Sequence, residues 1–221
     1  MRVTSYMKGD LPFRTFEDIA PSFEDLPTDP YTESNYRFRR WSEFYFDDRG
    51  FLHKHDPVDS FVQSSDVNVV FGDVERKFEP IDDKLLDSAG FQMMFDKFRE
   101  NTGISSGIGC HQVRIVVQPD GAPATPEGPH KDGFDYIGAF IVKRDNITGG
   151  DFCVWHPDQQ VDSTNVDDWG DPIFSDNLWT PTSRHFGILR DRDYFHTGHD
   201  LKTVDPDNIG QWDWFILTGD N

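Results

Sequence analysis

Residues 127–155, EGPHKDGFDYIGAFIVKRDNITGGDFCVW, restrict the chain to few folds. The preceding APATPEGP loop runs into this stretch and cannot continue a helix or a central strand. FDYIGAFIV, residues 134–142, has the length and the aromatic, β-branched composition of a strand. Residues 146–150 read as a turn, and residues 151–155 as the returning strand. Between loop and strand stand His130, Lys131, Asp132 and Gly133. Side chains two apart in a strand share a face, so His130 and Asp132 project together and Lys131 turns away. One imidazole and one carboxylate are two ligands for a divalent first-row metal, and a further His would complete a set that leaves open positions on Fe(II). The same pair could equally cap a strand entrance.

The rest of the chain reads as short strands between turns. Tyr36, Phe38 and Trp41 alternate before the turn Asp48-Arg49-Gly50, which predicts a hairpin. Further strands are expected at 67–71, 76–78, 111–117, 186–189, from Tyr194, and at 212–218. Residues 81–101 read as a helix, with Leu85, Leu86, Ala89, Met93, Met94 and Phe98 at helical spacing. On the 111–117 strand, His111, Val113, Ile115 and Val117 share one face and Gln112, Arg114 and Val116 the other. An arginine there needs a partner or a cavity, because an unpaired buried charge is too costly. At least eight strands with one convincing helix predict a mainly β fold with flanking helices, a barrel or jelly roll.

The 221 residues fit a single domain spanning 1–221, with residues 1–35 as a wrapping N-terminal segment and the polar stretch 157–182 as a lid or binding loop. Asp and Glu outnumber Lys and Arg by 40 to 21, for a net charge of −19. That argues against nucleic acid and against an anionic membrane surface as partners. Two cysteines make neither a disulfide framework nor a zinc pattern. Without a signal-peptide pattern or an apolar run long enough to span a bilayer, a cytoplasmic location is expected. Arg37 and Arg39 share a strand face among aromatics and suit a carboxylate, although pairing with the abundant surface acids is the competing reading.

Four segments carry a family resemblance: RFRRWSEF at 37–44, GIGCHQVRIVV at 107–117, EGPHKDGFDYIGAFIVKRDNITGGD at 127–151 and DRDYFHTGHDL at 191–201. Together they resemble the bacterial Fe(II)/2-oxoglutarate dioxygenases of the L-isoleucine 4-hydroxylase type, which act on free amino acids. The resemblance implies a double-stranded β-helix, a cupin-like jelly roll. It implies Fe(II) held by His130, Asp132 and His196, with His196 rather than His199 as the distal ligand. It also implies 2-oxoglutarate and O2 as cosubstrates, ascorbate as reductant, and an amino acid as the small-molecule substrate, its carboxylate on Arg37 or Arg39. In one place the chain departs from the family. Where the last strand is expected to carry an arginine for the distal carboxylate of 2-oxoglutarate, it carries Trp212. Arg114 is the favoured replacement, ahead of Arg190 and Arg192, with Thr218 matching the family's threonine on the same strand. That departure keeps two other readings open: an Fe(II) oxygenase or oxidase that does not use 2-oxoglutarate, and a non-redox cupin-like metal-binding protein. The sequence is silent on oligomeric state.

Overall fold

The computed structural model describes residues 3–32, 36–56, 60–65, 72–125 and 127–221. The expected strand at 67–71 lies outside these residues. The strands are β1 (Tyr6–Leu11), β2 (Arg37–Phe46), β3 (Leu52–Lys54), β4 (Ile108–Val117), β5 (Tyr136–Asp145), β6 (Ile147–Thr148) and β7 (Phe152–Trp155). They continue as β8 (Phe174–Asp176), β9 (Trp179–Thr180), β10 (Ser183–Leu189), β11 (Phe195–Gly198), β12 (Lys202–Thr203) and β13 (Gly210–Gly219). The large antiparallel sheet runs β1-β10-β5-β13-β4-β2-β3, with β9 beside β10. A smaller sheet runs β11-β7-β8. The two form the expected jelly roll.

Alternation along the central strands divides the apolar residues between two layers. Cys110, Phe140, Phe215 and Leu217 face outward, onto the helix α1 (Ala89–Thr102). Val113, Ile137, Ala139, Trp212 and Trp214 face inward and pack with Phe152 and Val154 of β7. The functional cavity opens in this inner layer.

The helix begins later than its apolar spacing suggests. Leu85 belongs to a separate 3-10 turn, Asp83–Asp87. Ser88 then caps α1, its Oγ accepting from Phe91 N at 3.1 Å, as a serine at this position does. Phe91, Met94, Phe95 and Phe98 form the buried stripe, and Gly103, at φ 84°, ends the helix in the left-handed conformation.

The N-terminal segment does more than wrap. β1 pairs with β10 along its full length and extends the sheet edge, and Phe16, Ile19 and Phe23 then fill the outer core. The 157–182 insertion is stitched to the body. β8 pairs with β7, β9 pairs with β10, and Trp169 packs on Trp155 and Phe195 at centroid distances of 6.1 and 5.0 Å. None of its described residues lines the cavity.

Candidate metal and cosubstrate site

The strand carrying His196 and the segment carrying His130 meet through their backbones. His130 N donates to His196 O at 3.0 Å, and His196 N donates to His130 O at 2.9 Å. This reciprocal pair fixes both imidazoles side by side, 4.6 Å between ring centroids. Asp132 completes the group. One potential ligand atom from each of the three residues lies within 4.8 Å of the others. The spacing of two residues between His130 and Asp132, read from the sequence as a shared face, thus meets a histidine of β11 in the smaller sheet.

Each ring is oriented from behind. His130 Nδ1 donates to Gly128 O at 2.7 Å, since a carbonyl can only accept, and this leaves the Nε2 lone pair toward Asp132 at 3.7 Å. His196 presents Nε2 to the other oxygen of Asp132 at 3.5 Å, while its Nδ1 lies 3.3 Å from Asp191. Two imidazole nitrogens and a carboxylate converging on one point, with an oxygen beside each outer nitrogen, is the chemistry of a metal ligand set. Burial alone would push His196 down and Asp132 up. The ion pair between them outweighs it: Asp132 and Asp191 raise His196 to about 9, and His196 and His130 hold Asp132 well below the usual carboxylate range. In the absence of metal, a proton stands where a cation would.

Asp191 is a functional residue that the sequence reading did not single out. It is fully buried and accepts from Asp132 N at 3.0 Å, Gly133 N at 2.7 Å and Phe134 N at 3.2 Å. It therefore holds the loop that carries Asp132 as well as the ring of His196. Gln63 is a second such residue, donating to Asp132 Oδ1 at 2.9 Å and to its carbonyl at 3.1 Å.

The cavity beside the triad has an apolar and a cationic part. Ile137, Ala139, Ile141, Phe152, Trp214 and Ile216 form its apolar wall. Trp212 lines it from β13, its indole edge close to Gly150 and Gly198. Arg37, Arg39, Arg76 and His111 line it as well. Burial and the neighbouring Arg39 cation hold His111 well below its ordinary pKa, so it is neutral, and Arg39 Nη2 donates to its Nδ1 at 2.5 Å.

The arginines proposed from sequence to replace the one absent at Trp212 do not reach this cavity. Arg114 is on the other face of β4, as its alternation with His111 required, and β13 supplies its partner. Its guanidinium grips Asp213 through two hydrogen bonds, of 2.7 and 2.9 Å, and reaches Glu24 at 3.0 Å. Arg190 pairs with Asp193, and Arg192 with Asp135 and Asp220, in exposed positions. Thr218 is buried with its hydroxyl beside Gly109 and does not line the cavity. Arg37 and Arg39 do line it, as their shared strand face implied.

A jelly roll with a His-Asp-His cluster lining its internal cavity defines the class of mononuclear metal oxygenase-like barrels. The chain belongs to the 2OG-Fe dioxygenase family, whose model matches residues 20–218. The family's cofactor is Fe(II) and its cosubstrates are 2-oxoglutarate and O2, and the three clustered residues fit the metal. This sets aside the reading without 2-oxoglutarate and the non-redox reading. Among solved structures, a bsmA homolog from Methylobium petroleophilum PM1 is similar, with 24% identity and a TM-score of 0.71, covering 94% of this chain and 81% of that one. IDO from Bacillus thuringiensis gives 18% identity and a TM-score of 0.69, covering 97% and 90%. The Fe(II)/α-ketoglutarate-dependent dioxygenase TqaL gives 14% and 0.63, covering 97% and 82%. At these identities the likeness is one of fold. No curated protein matches the chain.

Proposed function

We propose that the protein hydroxylates a C–H bond of a small molecule, a free L-amino acid as in the isoleucine 4-hydroxylase type, with Fe(II) held by His130, Asp132 and His196. The observation that carries this reading is the convergence of the three ligand atoms within 4.8 Å at the wall of a cavity that also presents buried arginines. With 2-oxoglutarate and O2, the bound iron supplies the oxidising power, one oxygen atom entering the substrate and the other entering the succinate formed with CO2.

The chain's own residues do the positioning. The Nδ1–H of His130 is occupied by Gly128 O, so only Nε2 is offered to metal. Gln63 holds Asp132 from the side. The wall of Ile137, Ile141, Phe152 and Ile216 excludes water and seats an aliphatic portion next to the triad. Arg76 and Glu127, of opposite charge, also line the cavity and suit the charged ends of an amino acid. A cytoplasmic location is part of the same proposal, and among the described residues no helix is long and apolar enough to cross a membrane.

The test is succinate formation from 2-oxoglutarate with Fe(II), ascorbate and a pool of free amino acids, comparing the protein with its His130→Ala variant. The expected result is succinate only with the unmodified protein and one amino acid gaining the mass of an oxygen atom. Equal succinate from both proteins would refute the reading.

A further inference from the structure

Once 2-oxoglutarate has engaged the metal with one end, its other end is a carboxylate that must be buried with it. A buried carboxylate needs a cation or several hydrogen-bond donors. Among the described residues, no cation lines the cavity from β13, the last strand. Trp212, almost wholly buried, lies there, stacked on Trp214 at 4.3 Å with 16° between ring planes. Its benzene edge approaches Gly198 of β11 and Gly150, between β6 and β7, so closely that a Cβ on either would meet it at 3.4 or 3.5 Å. The nearest arginine behind this floor, Arg144, spends its guanidinium on the carbonyls of Gly149 and Gly150.

The β2 side of the cavity is built for an anion. Arg37 and Arg39 are each 8% exposed and line the cavity from β2. Among the described residues their one ion-pair partner is Asp29 Oδ2, at 3.5 Å from Arg37 Nε and 3.9 Å from Arg39 Nη1. Neither distance is that of a well-made charge-assisted bond. The Nε of each is buried without a hydrogen-bond partner. Two guanidiniums against one carboxylate leave one positive charge in surplus, the charge of one further carboxylate. Burial and the like charge of Arg37 both weigh against the charged form of Arg39, which is the signature of a cation short of its anion.

We infer that the Arg37–Arg39 pair on β2 holds the distal carboxylate of 2-oxoglutarate, in place of a cation on the last strand, where Trp212 stands instead. The assignment rests on the proposed function. It takes the two arginines away from the substrate-carboxylate role expected of them from sequence, because the cosubstrate's carboxylate has no other unmatched cation to reach.

The test uses binding rather than turnover. The Mn(II)-loaded protein is titrated calorimetrically with 2-oxoglutarate and with 2-oxopentanoate, which carries a methyl group where the distal carboxylate would be. A hydrogen-bonded ion pair of this kind corresponds to a preference of roughly ten- to a hundredfold for 2-oxoglutarate. Arg39→Gln and Arg37→Gln should each bring the two ligands toward parity while leaving 2-oxopentanoate affinity unchanged, and Arg39→Lys should keep part of the preference. A preference that persists in both glutamine variants, or that Arg76→Gln alone abolishes, overturns the inference. So does an unmodified protein that binds both ligands equally, which would leave the oxygenase reading intact. A protein that binds neither ligand with metal present would overturn both. Should Arg39→Gln not fold, Arg37→Gln and the unmodified protein decide the matter.

Discussion

Asp191 lies 3.3 Å from Nδ1 of His196 and, through the same carboxylate, accepts the backbone N–H groups of Asp132, Gly133 and Phe134. One buried side chain thus sets the distance between two of the three metal-binding residues. Replacing Asp191 with Asn keeps the volume and removes the charge and one acceptor. Metal affinity should fall by about ten- to a hundredfold, as when outer partners of ligating histidines are removed. Competition with a chelator measures this, and unchanged affinity would show Asp191 to be purely structural.

The protonation of His196 gives a pH dependence of definite sign. Its folded pKa is raised to about 9, because the carboxylates of Asp132 and Asp191 outweigh its burial. In the metal-free protein this contribution to stability is fully present below about 6.5, the unfolded value, and is lost as pH rises through about 9. Metal must displace that proton, so apparent metal affinity should climb with pH and level off near 9. Chelator competition across this range checks it, and an affinity that is flat from pH 6 to 9 contradicts it.

Arg114 and Asp213 are 11% and 1% exposed at their side chains and bonded through two nitrogens. Arg114→Met should cost about 3–5 kcal/mol of stability, because it strands a buried carboxylate. Asp213→Asn in that background should recover part of the loss. Neither change should alter 2-oxoglutarate binding in the folded protein. Denaturant unfolding and calorimetry together test both halves of this expectation.

Trp212 is 1% exposed and walls the cavity. Trp212→Ala should destabilise the fold by about 3–5 kcal/mol and lengthen the cavity toward Gly150 and Gly198. Thermal unfolding reads the first effect, and acceptance of a longer aliphatic substrate reads the second.

The metal site was legible because its residues announce themselves locally. His130 and Asp132 stand two apart at a strand entrance, and His196 falls on a late strand. The parity of β4 was legible too: it correctly put Arg114 opposite His111. What it could not say was which face held the cavity, since that depends on β13 lying beside β4 and bringing Asp213 to the arginine. Strict alternation from His130 and Asp132 would bring Phe134 and Tyr136 to the cavity, yet Ile137, Ala139 and Ile141 line it instead. Gly133, at φ 89°, breaks the phase between Asp132 and β5. Asp191 and Gln63 were hidden because their roles consist of contacts 59 and 69 residues away in sequence, and a buried aspartate in a turn motif looks like any turn aspartate.

The most direct test of the account is the stoichiometry of Fe(II) binding under anaerobic conditions in the unmodified protein and in Asp132→Ala. The account predicts one Fe(II) per chain in the first and loss of tight binding in the second, with the fold retained by circular dichroism. Equal, stoichiometric binding by both proteins would place the iron elsewhere and contradict the assignment of His130, Asp132 and His196.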